Sequence, residues 1–195
     1  MPTTPRIVLA SSSKYRRDLL ARLGLPFDVG SPDINESALP GEAPQDTARR
    51  LAEAKARAVG ARFSRAIIIG SDQVAVLDGV ALGKPGNYAN ALHQLKSMRA
   101  KEVVFHTALC LHNSGSGVTE TRVVPYSVRF RDYSDAQLEN YLRREQPYDC
   151  AGSARAEGLG IALIAEMRGD DPNALIGLPL IALTEMLAAQ GVSVL

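Results

Sequence analysis

The sequence predicts one mixed α/β domain, a long twisted β-sheet with flanking helices, bent into two lobes around a central cleft. Three observations carry this expectation. Short β-branched runs alternate with helical periodicity in the first half, two long strand-like segments occupy 102–131, and helical periodicity returns at the end. The 195 residues, 46% hydrophobic and 22% charged, are enough to bury a sizeable core in a single domain spanning 1–195.

Taken in order, Arg6–Ala10 reads as a buried strand that delivers Ser11-Ser12-Ser13 to a helix running through Leu23 and stopping at Gly24. Residues 31–44 hold Pro32, Pro40, Gly41 and Pro44 and read as an ordered loop carrying Asp33, Glu36 and Glu42. A helix over 45–62 turns Leu51, Ala54, Ala58 and nearby alanines inward. Residues 66–69 form the clearest strand, ending at Gly70, and Asp78-Gly79 suits a hairpin turn between 74–77 and 80–82. Asn87 caps a helix containing Leu92, Leu95 and Met98. Strands over 102–112 and 118–131 are joined by a turn-rich segment. Ser134 with Gln137 makes a capping box for a helix through Arg144, 147–160 is loop-like, 161–167 strand-like, and Pro179 opens a last helix ending near Gly191.

Composition narrows the function. Lys and Arg total 22 against 21 Asp and Glu, a net charge of +1, which excludes bulk attraction to nucleic acid or a membrane surface. Cys110 and Cys150 lie far apart without a CxxC spacing, against a thiolate zinc site or a disulfide scaffold. Residues 1–6 lack the apolar run of a leader and no stretch approaches the length of a membrane span, so a cytoplasmic protein is expected.

Four places carry candidate chemistry. At 11–17, hydroxyls, backbone N–H groups, Arg16 and Arg17 gather at a helix start, which suits phosphate, although a serine cap followed by a solvated basic turn accounts for the same residues. Asp72 follows an apolar strand at the place where α/β sheets put their ligands; a carboxylate there binds a divalent ion, takes a proton from water, or merely shapes a turn. Lys84 is fixed between Gly83 and Pro85, whereas Lys55 on an alanine-rich helix reads alone as a surface residue. In 150–158, small residues surround Arg155 and Glu157; Gly152, Gly158 and Gly160 let a backbone approach a flat ligand, and Glu157 offers two acceptors to adjacent donors such as guanine N1–H and its 2-amino group. A flexible surface loop is the alternative there.

Taken together, Leu9-Ala10-Ser11-Ser12-Ser13 with Arg16-Arg17, Glu36, Lys55, Gly70-Ser71-Asp72-Gln73, Gly83-Lys84-Pro85, Cys150-Ala151-Gly152-Ser153 and Gly177-Leu178-Pro179 resemble the Maf family of nucleoside triphosphate pyrophosphatases. The set is most similar to its 7-methyl-GTP, YceF-like branch. The resemblance implies a Maf/ITPase-like fold and hydrolysis of a nucleoside triphosphate to the monophosphate and pyrophosphate with a divalent cation, Mg²⁺ or Mn²⁺. It implies that Asp72 is the proton acceptor, that Ser11, Arg16, Lys55 and Lys84 hold phosphates, and that Glu36 joins Asp72 toward the metal. Tyr15, Gln73 and Glu157 then choose the base. The dTTP/UTP branch has Thr and Gln where this chain has Gln73 and Glu157, and an aromatic face at Tyr15 suits a cationic methylated guanine. Relatives of the 7-methyl-GTP branch carry tryptophan at the Tyr15 position. The resemblance also implies a homodimer. Two readings compete with this one, a pyrophosphatase for dTTP/UTP or another noncanonical nucleotide and a non-catalytic, nucleotide-sensing regulator of cell division.

Overall fold

A computed structural model describes residues 5–195; Met1–Thr4, part of the segment read above as lacking a leader, lie outside the described residues. The elements are β1 (Arg6–Ala10), α1 (Lys14–Ala21), β2 (Asp28–Gly30), α2 (Pro44–Gly60), β3 (Ala66–Leu77), β4 (Val80–Leu82), α3 (Tyr88–Met98), β5 (Glu102–Asn113), β6 (Thr119–Phe130), α4 (Asp135–Glu145), β7 (Ile164–Arg168), α5 (Pro172–Ile176) and α6 (Leu180–Ala189). Single 3-10 turns occur at Ala151–Ser153 and Leu159–Leu163.

All seven strands form one sheet in the order β2-β1-β3-β5-β6-β7, with β4 beside β3. The pairs β1–β2 and β1–β3 are parallel and the remainder antiparallel. Three 12-residue strands, β3, β5 and β6, run through both lobes.

Alternation along these strands explains the lobes. In one lobe Ile7, Leu9, Ile67, Ile69, Leu109 and Leu111 face α1 and α6, packing on Leu19, Leu183, Met186 and Leu187. Their neighbours Val8, Ala10, Ile68, Ala108 and Cys110 face α2, packing on Ala48, Ala52, Ala56 and Val59. In the other lobe Ala75, Leu77, Val103, Phe105, Tyr126 and Val128 pack against Leu95, Met98, Leu138 and Leu142 of α3 and α4. Each large aliphatic side chain so buried contributes roughly 1.5–3 kcal/mol.

Several expectations are corrected. Residues 66–69 and 74–77 are one strand, because β5 pairs with β3 continuously from Ile67 to Val76. Asp72 therefore sits in mid-strand. On the opposite edge, however, β1 pairs with β3 only as far as Gly70 and β4 pairs with it only from Ala75 onward, so among the described residues Ser71–Val74 have no strand on that side. The sheet opens there, which is why a mid-strand carboxylate can line a cleft. The inner face of α2 is Ala48, Leu51, Ala52, Lys55, Ala56 and Val59, with Ala54 and Ala58 only partly buried, so Lys55 points inward. The strand expected at 161–167 begins only at Ile164, since Leu159–Leu163 form a 3-10 turn. The segments β2 and α5 carried no periodic signal.

No helix among the described residues is long and apolar enough to cross a membrane.

Candidate active site

Between the lobes lies a cavity of about 800 Å³, well inside the range of small-molecule sites. Ser11, Tyr15, Arg16, Glu36, Lys55, Asp72, Gln73, Lys84 and Glu157 all line it. Residues about 150 positions apart in the chain thus share one cavity.

Its floor is an ionic cluster. Lys55 Nζ donates to Asp72 Oδ1 at 2.6 Å and to Glu36 Oε2 at 2.9 Å. Both members of the Lys55–Asp72 pair are almost sequestered, their side chains 6% and 9% exposed, while Glu36 is open to the cavity. Gly70 makes the pair possible. A Cβ there would stand 2.2 Å from the carbonyl oxygen of Ala52 and 2.9 Å from the Ala56 Cβ, so only glycine lets α2 lie this close to β3 and carry Lys55 to Asp72. The loop bearing Glu36 is clamped by Glu42, which accepts two hydrogen bonds from Arg50, one from Thr47 Oγ1 and one from the Leu39 N–H. Those bonds, led by Arg50, hold the Glu42 carboxyl down at about 2. Glu42 is thereby committed to structure and Glu36 is left to the cavity.

At the start of α1, Ser13 caps the helix by accepting from the Arg16 N–H, and buried Ser11 accepts from the Ser13 N–H. The cap expected at this place is therefore real, and it orients a cation. Arg16 Nε donates to the Gly177 carbonyl at 2.8 Å, which Ser71 Oγ also reaches at 2.8 Å. The Arg16 Nη1 and Nη2 have no acceptor among the described residues, so the end of the fork is available to a ligand. Burial lowers the Arg16 pKa, opposed by the nearby carboxylates Asp72 and Glu36; an arginine remains charged. Lys84 stands exposed on the rim with no anionic partner among the described residues. Its turn is braced by α3, through Gln94 Nε2 to the Gly83 carbonyl and Asn90 Nδ2 to the Pro85 carbonyl.

Gln73 has a defined orientation. Its Nε2 lies 2.8 Å from the Ala174 carbonyl, 3.0 Å from the Leu175 carbonyl and 2.9 Å from Thr107 Oγ1. Carbonyls only accept, so the amide nitrogen must face them. No donor among the described residues reaches Oε1, and Gln73 offers a ligand an acceptor. The short helix α5, invisible to periodicity, thus sets three residues at once: Gln73 through Ala174 and Leu175, and Arg16 and Ser71 through Gly177.

The far wall is 149–157. Tyr15 Oη lies 3.5 Å from Asp149 Oδ2, and the Arg155 guanidinium carbon stands 5.6 Å from the Tyr15 ring centroid. Burial, reinforced by Cys150 and Asp149, pushes the Tyr15 phenol up to about 12. Burial likewise pushes the Cys150 thiol up to about 12, which makes it a wall residue rather than a nucleophile. Two of the glycines, Gly158 and Gly160, do not serve a ligand as expected. A Cβ at Gly158 would meet Glu145 Oε1 at 2.5 Å, and one at Gly160 would meet the Arg155 carbonyl oxygen at 2.5 Å, so both make room for the protein's own packing. Glu145, Asp149 and Thr107 carry no sequence signal of a place at the site, whereas Arg155 stands in the segment read as candidate chemistry. Glu145 lies on α4 with no local signal, and only the third dimension brings it to this loop.

Among the described residues no histidine lines the cavity, and its acidic side chains are Glu36, Glu42, Asp72, Asp149 and Glu157. No cluster of three or more His, Cys, Asp or Glu able to hold a metal occurs among the described residues. Asp72 and Glu36 are instead a pair of hard oxygen donors of the kind that holds Mg²⁺ together with substrate phosphates.

The sequence also matches known proteins. It is 63% identical over 191 residues to a 7-methyl-GTP pyrophosphatase of Methylobacillus flagellatus, covering 98% of this chain and 100% of that protein. Proteins of the same name from Nitrosospira multiformis and Nitrosococcus oceani are 61% and 57% identical, covering 97% and 100% of this chain and 96% and 98% of theirs. The signature of the family described as Maf-like protein matches residues 6–190. That span takes in every element that builds the cavity, and the chain belongs to the Maf family.

Proposed function

We propose that this protein is a nucleoside triphosphate pyrophosphatase that hydrolyses 7-methyl-GTP to 7-methyl-GMP and pyrophosphate. The observation that carries the reading is the Lys55 ammonium joining Asp72 and Glu36 on the floor of a cavity that Arg16 and Lys84 also line. It agrees with the name of relatives 57–63% identical over essentially the whole chain.

In this reaction water attacks, the α–β phosphoanhydride bond breaks, and pyrophosphate leaves. Asp72, hydrogen-bonded to Lys55, accepts the proton of the attacking water. Arg16, through its free Nη1 and Nη2, binds phosphate oxygens in the bidentate manner that suits a guanidinium. Lys84 supplies a point charge from a stiff turn, Lys55 neutralises charge from below, and Ser11 stands beside them with its hydroxyl proton unassigned to any protein acceptor. Asp72 and Glu36 would hold a divalent cation, Mg²⁺ or Mn²⁺, which when bound neutralises triphosphate charge.

Base choice rests on acceptors. Gln73 presents Oε1 and Glu157 a carboxylate, which together suit a base edge rich in N–H donors, as guanine is. A carboxylate also favours the positive charge that N7-methylation creates, and Tyr15 supplies an aromatic face for it.

A panel of nucleotides with separate phosphate and pyrophosphate readouts, run with Mg²⁺, with Mn²⁺ and with chelator, tests this reading. Metal-dependent pyrophosphate release, fastest from 7-methyl-GTP, is expected. Orthophosphate release, or nucleotide binding without hydrolysis, would refute it. Glu157→Gln is expected to reduce the preference for 7-methyl-GTP over UTP, and an unchanged preference would remove Glu157 from base reading.

A further inference from the structure

Arg155 is linked to both ends of the base-facing wall. Its Nη1 lies 2.9 Å from Glu145 Oε1, and its Nε lies 3.5 Å from Glu157 Oε1. Its guanidinium carbon stands over the Tyr15 ring at 5.6 Å. The Nε is buried and makes no hydrogen bond, so Arg155 and Glu157 face each other as an ion pair by charge alone. The arginine is held from behind. Glu145, only 9% exposed, also accepts from the Leu159 N–H at 2.9 Å and fills the space that Gly158 leaves open. The Arg155 N–H donates to Tyr141 Oη at 3.0 Å, so backbone and side chain are both fixed.

The consequences for the two neighbours differ. Glu157 turns Oε1 toward Arg155, and Oε2 has no donor among the described residues. Neither oxygen accepts a hydrogen bond among the described residues, so Arg155 biases the carboxylate by charge and leaves its acceptors to a ligand. Tyr15 is fixed as a wall between two groups of the opposite lobe, its Oη toward Asp149 and its ring against Arg155. Tyr15 belongs to α1 and Glu157 to the far loop, and the Arg155 guanidinium stands beside both.

We propose that Arg155, anchored by Glu145, is a positioning residue for base selection: it sets the Glu157 carboxylate and the Tyr15 ring in the arrangement that distinguishes a cationic purine from a neutral pyrimidine. The proposal rests on the 7-methyl-GTP reading above. Arg155 acts through Glu157 and Tyr15 and takes no part in breaking the phosphoanhydride bond. Its removal therefore acts on discrimination, through KM for the preferred base.

The test compares kcat/KM for 7-methyl-GTP and for UTP in the full-length protein and in Arg155→Gln, Arg155→Lys, Glu145→Gln and the Glu145→Gln/Arg155→Gln double variant. Unfolding midpoints are measured beside the kinetics. Arg155→Gln is expected to reduce the 7-methyl-GTP to UTP ratio about tenfold, with the loss in KM for 7-methyl-GTP rather than in kcat. Arg155→Lys keeps the charge between the two carboxylates and restores the ratio to within about threefold of the parent. Glu145→Gln reproduces the loss, and the double variant adds little to either single change, because the two residues act as one unit. Should Arg155→Gln fail to fold, Glu145→Gln carries the same test. An unchanged ratio in folded Arg155→Gln, or an equal loss on both nucleotides, overturns the proposal. Failure of the parent protein to prefer 7-methyl-GTP overturns the functional reading instead, so the two failures are distinguishable.

Discussion

Replacing Gly70 by alanine tests whether the position of α2 governs the chemistry. The added Cβ would stand 2.2 Å from the Ala52 carbonyl oxygen, 2.9 Å from Ala56 Cβ and 3.0 Å from the Ala56 nitrogen. These are backbone atoms and a β-carbon, and none can rotate away. Relief requires α2 to retreat by roughly 1 Å, the difference between this approach and an ordinary carbon–oxygen contact. Overpacking of this kind costs about 1–3 kcal/mol, and each kcal/mol lowers Tm by roughly 2–4 °C in a domain of this size. The same retreat draws Lys55 from its 2.6 Å contact with Asp72. A misplacement of about 1 Å at a reacting centre costs roughly 100-fold in rate. The experiment pairs urea or thermal unfolding with kcat and KM measured well below the new transition. A Gly70→Ala protein that is less stable yet turns over normally when folded would refute the coupling of helix position to catalysis. One unaltered in both respects would refute the close packing itself.

Asp72→Asn keeps the shape of the side chain and removes the proton acceptor, so turnover at saturating metal is expected to fall by about 10²- to 10⁴-fold with the fold retained; near-parental turnover would exclude Asp72 as the base. Lys55→Met leaves Asp72 nearly buried without its cation and should destabilise the protein by about 3 kcal/mol, whereas the Lys55→Met/Asp72→Asn double variant should recover part of the loss in a urea titration, because no unpaired buried charge remains. For Glu42, whose carboxyl is held down at about 2 against an ordinary value near 4.5, the stabilisation is complete above the ordinary value and disappears as pH falls toward 2. The parent should accordingly exceed Glu42→Gln in unfolding midpoint at pH 7, and the two should converge near pH 2; a constant gap would contradict the clamp.

The sequence made the architecture legible where side-chain pattern and backbone need coincide. The Ser134–Gln137 capping box, the Asn87 cap and the Asp78-Gly79 turn all form as their chemistry requires. It failed where structure is set by partners rather than by local preference. Gly70-Ser71-Asp72-Gln73 looks like a strand end, yet β5 holds it in mid-strand. At three and five residues, β2 and α5 are too short to show a period. Lys55 reads as a surface lysine because nothing in an alanine-rich helix shows that two carboxylates wait beneath it. The glycines at 158 and 160 were visible, but what they make room for, Glu145 and the Arg155 backbone, was not. The motif residues were found from sequence, whereas those that hold them in place emerge only from the fold.

This division bears on how specificity arises. A net charge of +1 conceals a cavity with two unlike ends. At the end proposed for phosphate, Arg16 and Lys84 offer cationic groups suited to the triphosphate that every nucleoside triphosphate shares. Contacts there bind all substrates alike and cannot discriminate among them. At the end proposed for the base, Glu145 and Glu157 flank the cation Arg155, which stands over the Tyr15 ring, and Asp149 faces the Tyr15 hydroxyl. On the proposed reading, selection between bases falls to this second set together with Gln73. Most of its charge is carried by residues that orient others. The protein can thus retain one hydrolytic floor while its base preference changes through the loop at 149–157 and its anchor on α4, without altering Asp72 or Lys55.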